Sequence, residues 1–223
     1  MIIEKAYDSI RLRVNTINQR LLVLYRKSCL KNKHITLISN DCTGGIILHD
    51  CGLRFDTPLI NLCFEGYVDF IKYASHLREY TSSNIIQKYD TDKTYPVGVL
   101  KNEQYGDIII HFVHYSSFEE AIAAWKRRCE RIHYDNVFVI MHYARDGQIN
   151  LEELSAFSKI PYNNKKILAY SVQIGNFNLD RFGDMVFTFS KLKELSPGKI
   201  LEYSGLNGRR YLDEFDYVSF LNS

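Results

Sequence analysis

Residues 35–50 read ITLISNDCTGGIILHD, and the fold is organised around this stretch. Its first four residues are apolar or β-branched, which predicts a short buried strand. A polar turn at 39–43 and a glycine pair at 44–45 follow, and the apolar segment that closes the stretch predicts a helix. A strand, a polar turn and a helix start in this order predict an edge at which free backbone N–H groups and closely approaching glycines face a ligand.

Strand and helix patterns alternate from residue 35 to residue 170, which predicts an α/β fold. We expect a three-layer arrangement with a mostly parallel sheet flanked by helices. Further strands are predicted at 59–62, 85–86, 96–100, 107–113, 136–141 and 166–170, and helices at 65–79, 117–132 and 150–158. After residue 170 the chain predicts two short strands, 185–189 and 199–203, and a closing helix at 212–221.

The N-terminal segment predicts a long amphipathic helix. Apolar side chains recur at helical spacing between basic residues, at Ile10, Val14, Ile17, Leu21 and Leu24. We therefore divide the chain into an N-terminal helix, 1–33, and an α/β domain, 34–223. Docking of the apolar stripe on the body is the ordinary expectation for such a helix. Residues 3–27 are alternatively predicted to contact a second subunit or an anionic membrane surface.

Composition limits the class of protein. With 223 residues, 46% hydrophobic and 24% charged, the chain is long enough and apolar enough to bury a substantial core. A net charge of +2 and the lack of a recognised motif argue against nucleic acid as a partner. No apolar run has the length of a signal peptide or a membrane span, which predicts a cytoplasmic protein, with membrane association left to the N-terminal helix.

The cysteine and glycine patterns exclude several kinds of cofactor site. The five cysteines are odd in number and include no C-x-x-C pair, which predicts reduced thiols and no zinc site. Neither a Walker A loop nor a complete G-x-G-x-x-G is present, so no bound cofactor is predicted. No spacing of histidines, cysteines and carboxylates predicts a metal ion.

Three predicted strands end in polar residues, and the ligands of parallel sheets bind at such ends. These ends are Asn40-Asp41-Cys42, His114-Tyr115-Ser116 and the segment from His142 to Asp146. If the three ends meet, they form one site. Because His111 lies inside the apolar run and His114 lies beyond it, we expect His111 in the core and His114 at the rim.

The first of these ends carries the candidate catalytic residues. Cys42 follows a strand and precedes two glycines, a position typical of a nucleophile on a sharp turn, although a thiol there can equally form a wall of the site. Backbone N–H groups of Gly44 and Gly45 are candidates for holding an oxyanion. The candidate bases are His49, His114 and His142, oriented by Asp41 or Asp50.

Substrate binding is predicted for residues of the same three ends and of one helix. The helix at 117–132 carries Arg128 and Arg131 three residues apart, so both lie on one side and can hold a phosphate. The alternative for these arginines is a solvated helix face. The predicted substrate-binding residues are Asn40, Gly44, Gly45, Tyr115, Ser116, Arg128, Arg131 and Asp146.

Several blocks of sequence, taken in order, resemble one bacterial family. They are SNDCTGGIILHDCGLRFDTPLINL (39–62), IIIHFVHYSSFEEAIAAWKRRCERI (108–132) with DNVFVIM (135–141), and YLDEFDYVSFLN (211–222). The family is catalogued as domain of unknown function 1919, and its members are often labelled exopolysaccharide-biosynthesis proteins. The resemblance implies a three-layer α/β fold and a surface-polysaccharide context. Residues 141–147, MHYARDG, depart from the M-T-D-R-D-G pattern that is more usual in the family, so a carboxylate is replaced there.

Together these features predict a transferase that acts on a sugar in capsule or exopolysaccharide biosynthesis. Acyl transfer is favoured, with Cys42 as nucleophile or wall, His114 or His49 as base, and acyl-CoA as donor. Glycosyl transfer from a nucleotide-sugar is the alternative enzyme, with Asp41 or Asp146 as base. The acceptor in either case is a sugar or a lipid-linked glycan. A non-catalytic adaptor of a synthesis complex is the third hypothesis.

Overall fold

The computed structural model describes residues 2–144, 148–174, 179–192 and 198–223, with side chains from residue 7 onward. The helices are α1 (Ile2–Cys29), α2 (Thr43–Asp50), α3 (Tyr67–Ser75), α4 (Leu77–Thr81), α5 (Phe118–Cys129), α6 (Leu151–Ser158), α7 (Ser171–Ile174) and α8 (Tyr217–Leu221). The strands are β1 (Thr36–Ser39), β2 (Cys63–Phe64), β3 (Ile85–Lys88), β4 (Val97–Leu100), β5 (Ile108–His111), β6 (Val137–His142), β7 (Lys165–Tyr170) and β8 (Val186–Phe189). The predicted α/β class and the N-terminal helix are confirmed.

One sheet is parallel throughout, with the strand order β1-β6-β7-β8. All four residues of β1 and all six of β6 are buried, as expected for strands covered by helices on both faces. The register pairs Thr36 with Val137 and Ser39 with Ile140, so the carboxyl ends of β1 and β6 lie side by side. This edge is where the predicted site is expected.

A second sheet is antiparallel, with the strand order β2-β5-β4-β3, and it was not anticipated from the sequence. Its strands β3, β4 and β5 follow one another through connections that contain no helix. A parallel pair needs a crossover connection, usually a helix, so these neighbouring strands pair as hairpins instead. The strongly apolar strand β5 therefore lies in this sheet, and β3 is its edge.

Four predicted elements differ in the structure. The helix predicted at 65–79 is divided into α3 and α4, because His76 has a φ of −129° and a ψ of 47°, which are not helical. Residues 59–62 are largely buried but are not a strand, because Asn61 has a φ of 64°, which extended chain does not allow. The predicted strand at 199–203 is a 3₁₀ turn, Lys199–Leu201, after which only Tyr203 makes an isolated bridge. The predicted helix at 212–221 is divided, since the Asp216 side chain accepts a hydrogen bond from Ser219 N and so begins α8 anew.

Helix α1 docks on the body, but through its polar face. Asn15 is fully buried, and its side chain donates to Gly205 O (2.8 Å) and accepts from Gly208 N (2.9 Å). Gly208 has a φ of +74°, and a side chain there would collide with the backbone of Asn18 and Gln19. The apolar stripe of the same helix faces solvent, with Ile17 60% exposed. The expected docking of the stripe is therefore wrong.

A buried carboxylate, Asp50 at the end of α2, joins α1 to the C-terminal segment. Its side chain is 1% exposed, and its Oδ2 lies 2.9 Å from Arg210 Nη1 and 3.4 Å from Arg26 Nη1. Arg26 also contacts Asp213, with 2.8 Å between Nη2 and Oδ1. The alternating charges neutralise one another, which lets all four side chains stay largely buried.

We expect Asp50→Asn to lower the free energy of unfolding by about 3 kcal/mol, because it removes the counter-charge of two largely buried arginines. Urea unfolding followed by circular dichroism measures the loss. The control Asp135→Asn changes an exposed carboxylate and should cost less than about 0.5 kcal/mol. Equal stability of the two variants would show that the Asp50 charge is dispensable.

Candidate functional site

The carboxyl ends of β1 and β6 are joined by the side chain of Asn40. Its Oδ1 accepts a hydrogen bond from His142 N (2.7 Å), and its Nδ2 donates to His142 O (3.0 Å). The amide thus continues the ladder of the parallel sheet by one step beyond β1. As a result, the two predicted polar ends Asn40-Asp41-Cys42 and His142 lie in contact.

Asp41 and His142 form the centre of the candidate site. Asp41 Oδ2 lies 2.7 Å from His142 Nδ1, and its Oδ1 accepts from Thr43 N (2.9 Å) and from Ser39 Oγ (3.4 Å). The His142 side chain is fully buried, whereas the Asp41 side chain keeps 23% of its surface exposed. Of the two, Asp41 is therefore the group that a ligand can reach.

Tyr170, the last residue of β7, extends this pair inward. Its hydroxyl lies 3.0 Å from His142 Nε2. Burial, with smaller effects of Asp41 and Tyr67, raises the pKa of Tyr170 far above its ordinary value, so the hydroxyl keeps its proton. A hydroxyl that donates to Nε2 leaves the imidazole proton on Nδ1, where it points at Asp41. The hydrogen bonds can then run in one direction, from Tyr170 through His142 to Asp41.

The Asp41 carboxyl is held in its charged form. Burial alone would raise its pKa, but the electrostatic interaction and hydrogen bond with His142 and the two hydrogen bonds from Thr43 outweigh burial and lower the pKa below the ordinary value of 3.8. At neutral pH the edge of the sheet therefore presents an oriented carboxylate. Such a group accepts hydrogen bonds from hydroxyls.

Cys42 lies next to this carboxylate but is not activated by it. Burial, then the negative charge of Asp41, then Cys63, raise the pKa of the thiol to about 11. Because only the thiolate is a strong nucleophile, Cys42 is protonated and weakly reactive at neutral pH. This environment favours the predicted role of a site wall over that of a nucleophile.

The two glycines after Cys42 serve the packing of α2 as well as the site. A side chain on Gly44 would come within 2.8 Å of Ser39 Cβ, and one on Gly45 within 3.3 Å of Ile60 Cδ1. Thr43 N is already bound by Asp41 Oδ1. Because the first N–H groups of a helix have no acceptor within it, those of Gly44 and Gly45 remain candidates for holding an oxyanion.

Neither of the predicted bases His49 and His114 has a described hydrogen bond with Asp41. His49 is at the far end of α2, seven residues or about 10 Å from Cys42, and its Nδ1 is 3.1 Å from Asp50 Oδ1. His114 is exposed on the turn after β5, and no described hydrogen bond joins it to Asp41 or His142. His111 is buried as expected and pairs with Glu65 (2.5 Å). The histidine of the candidate site is His142.

The predicted substrate-binding residues of α5 and of the loop after β5 are bound by other side chains and carbonyls of the same chain. Arg128 Nη1 donates to the Tyr115 hydroxyl (2.5 Å), which donates to Ile60 O (3.1 Å). Ser116 lies in the loop before α5, and its hydroxyl donates to the Glu120 side chain. The next residue, Ser117, caps α5 at the predicted helix start. These contacts fix the loop onto the helix and leave it outside the hydrogen-bond network of Asp41.

Arg131 lies at the amino ends of the parallel strands, opposite to the carboxyl ends where Asp41 lies. Its Nη2 donates to Phe55 O (2.8 Å), and its Nε is 3.3 Å from Asp56 Oδ1. Asp56 O accepts a hydrogen bond from Thr36 Oγ1, and Thr36 begins β1. Arg131 is therefore at the amino end of β1, whereas Asp41 follows its carboxyl end.

Two further expectations concern Asp146 and metal ions. Asp146 lies outside the described residues. Within the part of the chain that is described, no group of three histidine, cysteine, aspartate or glutamate side chains is placed to hold a metal ion.

Sequence reasoning missed Tyr170 and named His142 only as one of three possible bases. Tyr170 closes a predicted strand, which was the available signal. Its relevance depends on the strand order, because only the neighbourhood of β6 and β7 brings the hydroxyl to the imidazole. A sequence pattern does not supply that order.

Fold and site together define an α/β protein in which an aspartate, a histidine and a tyrosine are linked by hydrogen bonds at the carboxyl ends of the parallel strands. The chain belongs to the family described as Domain of unknown function (DUF1919), whose model matches residues 13–222. It is also similar to an uncharacterized protein of Haemophilus influenzae, with 34% identity over 193 residues and 86% of each chain covered. The family resemblance noted in the sequence is thereby confirmed.

The lowered pKa of Asp41 predicts an acid-sensitive contribution to stability. The unfolded carboxyl binds a proton at higher pH than the folded one, so this stability is complete above the ordinary pKa of 3.8 and is lost as the pH falls through the lowered value. We expect the difference in unfolding free energy between wild type and Asp41→Asn to narrow over that window in urea titrations at stepped pH. A constant difference at every pH would contradict this.

The raised pKa of Cys42 predicts slow alkylation. With a pKa of about 11 against the ordinary 9.0, the thiolate fraction at neutral pH is about a hundredfold smaller, and iodoacetamide should label Cys42 correspondingly slowly. Peptide mapping by mass spectrometry gives the rate, which should rise up to about pH 11. Labelling in urea is the control, since unfolding should abolish the protection. Fast labelling of the folded protein would restore Cys42 as a nucleophile candidate.

Proposed function

We propose that this protein is a transferase that moves an acyl group, such as acetyl, from an acyl-CoA donor to a hydroxyl of a sugar in capsule or exopolysaccharide biosynthesis. One observation carries the proposal. A charged, partly exposed carboxylate, Asp41, is held by His142 at 2.7 Å beside the start of α2, at the edge of a parallel sheet where ligands bind.

Asp41 serves as the base in this reaction. As the sugar hydroxyl attacks the thioester carbon, its proton passes to Asp41 Oδ2 or Oδ1, while His142 and Thr43 keep the carboxyl oriented. The bond between the carbonyl carbon and sulfur then breaks, and the coenzyme A thiolate leaves and takes up a proton. Transfer is direct, so no acyl group is attached to Cys42.

The start of α2 supplies the stabilisation of charge. In the tetrahedral intermediate the carbonyl oxygen becomes negative, and the N–H groups of Gly44 and Gly45 donate to it. The partial positive charge of the helix N-terminus acts in the same direction. Cys42, protonated and half-buried, forms the wall between the carboxylate and these donors.

The polysaccharide context rests on the family resemblance of residues 39–62, 108–132, 135–141 and 211–222. The carboxylate site is compatible with it, because sugars offer many hydroxyl groups and a carboxylate accepts hydrogen bonds from them. The acceptor is a free sugar or a lipid-linked glycan.

Glycosyl transfer from a nucleotide-sugar is the second candidate, since Asp41 also suits the base of that reaction. The arginines offer it less support than the sequence suggested. Arg131 is engaged by Asp56 at the other edge of the sheet, and Arg128 donates to Tyr115. The non-catalytic adaptor remains the alternative from another class of protein, and it requires no turnover.

Substitution of Asp41 tests the proposal. We expect Asp41→Asn to lower the rate of coenzyme A release with a sugar acceptor by at least about a hundredfold, because it removes the base. His142→Gln should lower it less and shift its pH profile. Cys42→Ser should retain activity, and the exposed control Asp135→Asn should equal wild type.

A thermal-shift panel separates the alternatives, because a ligand of the folded state raises the melting temperature. Acyl-CoA should raise it and nucleotide-sugars should not. A shift with nucleotide-sugars alone would replace acyl with glycosyl transfer. Full activity of Asp41→Asn would remove Asp41 as base, and loss of activity in Cys42→Ser would favour a covalent mechanism. An unchanged melting temperature with both donors would favour the non-catalytic adaptor.

A further inference from the structure

Helix α1 presents a long apolar stripe to solvent. Tyr7, Ile10, Val14, Ile17, Leu21 and Leu24 recur every three or four residues, and their exposed fractions run from 39% at Val14 to 62% at Ile10 and Leu24. At 1.5 Å per residue the stripe is about 25 Å long. Contiguous exposed apolar surface of this extent marks an interaction site.

The orientation of the stripe is fixed by the opposite side of the helix. Asn15 and Arg26 are buried against the body, Asn15 by Gly205 and Gly208, and Arg26 by Asp50 and Asp213. Turning the stripe toward the body would leave these polar groups without hydrogen-bond partners, which costs free energy of folding. The stripe therefore stays exposed to solvent, and the body of the protein lies on the opposite side of the helix.

A row of basic residues borders the stripe. Arg13, Arg20 and Lys27 recur every seven residues, so they lie one above another on one side of it, and all three are exposed. The acidic residue Asp8 lies seven residues before Asn15, in the row that faces the body, and lines a cavity with Glu202. The outer surface of α1 is thus apolar and cationic.

Pairing of the stripe with a second copy is disfavoured by these charges. In a coiled coil with the stripe at the a and d positions, Arg13, Arg20 and Lys27 occupy g positions. A parallel partner would present Arg11, Asn18 and Tyr25 to them, and none of these is acidic. An antiparallel partner would present the same basic row to itself, so the charges would repel one another in that orientation, and in the parallel one the row would meet no opposite charge.

We propose that α1 docks this protein on an anionic lipid surface, with the apolar stripe in the interface and Arg13 and Arg20 at the phosphate headgroups. A helix with an apolar face bordered by basic residues lies in the plane of such an interface. No helix among the described residues is long and apolar enough to cross a bilayer, and docking in the plane does not require it. The inference is independent of the proposed reaction.

Vesicle flotation of the full chain tests the proposal. We expect binding to vesicles of phosphatidylcholine with about one third phosphatidylglycerol, weak binding to phosphatidylcholine alone, and release by salt. Ile17→Ser with Leu21→Ser should weaken binding at least about tenfold. Arg13→Glu with Arg20→Glu should weaken it by about 25-fold or more, at roughly fivefold per basic residue.

Matched controls separate the surface from net charge and from unfolding. Lys126→Glu with Arg127→Glu changes the net charge equally on exposed residues of α5 and should leave binding intact, as should Leu12→Ser, which alters an exposed apolar residue outside the stripe. All variants should keep the wild-type melting temperature within a few degrees. The proposal is overturned by equal binding to neutral vesicles, by no binding, or by a dimer in sedimentation that the stripe variants dissolve.

Discussion

The buried charge of Asp50 is the constraint on which the arrangement of the chain depends. It lies at the end of α2, and its partners come from the two ends of the sequence, Arg26 in α1 and Arg210 in the C-terminal segment. A carboxylate that is 1% exposed must be neutralised by groups fixed in place. Those partners hold α1 in one rotational setting, and α2, which begins beside Asp41, is held between the sheet and this cluster.

The candidate site follows from the neighbourhood of three strands. Asn40 ties the end of β1 to the end of β6, and Tyr170 closes β7 beside them. Only this parallel order brings Asp41, His142 and Tyr170 into one line of hydrogen bonds. His142 is the last residue of β6, so its position between Asp41 and Tyr170 depends on the place of β6 between β1 and β7.

Local patterns predicted most of the secondary structure, because strands and helices in this chain carry strong periodicity. The helices predicted at 117–132 and 150–158 are present as α5 and α6, whose first turns are capped by the side chains of Ser117 and Asn150. The predictions failed where a backbone or capping detail overrode propensity, as at Asn61 and Asp216. The antiparallel sheet was missed because strand direction depends on the connections between strands. An apolar run of residues predicts a buried strand in a parallel and in an antiparallel sheet equally.

The sequence by itself determined the α/β class, the N-terminal helix, and the turn between β1 and α2 that holds Asn40, Asp41 and Cys42, since each depends on residues close together in the chain. Tertiary structure alone decided which distant groups met them. It placed His142, and not His49 or His114, in hydrogen-bond contact with Asp41. It also placed Arg131 at the amino end of β1 and exposed the apolar stripe of α1 to solvent. The physical reason is that burial, charge neutralisation and strand order are properties of the whole packed chain, and no local spacing encodes them.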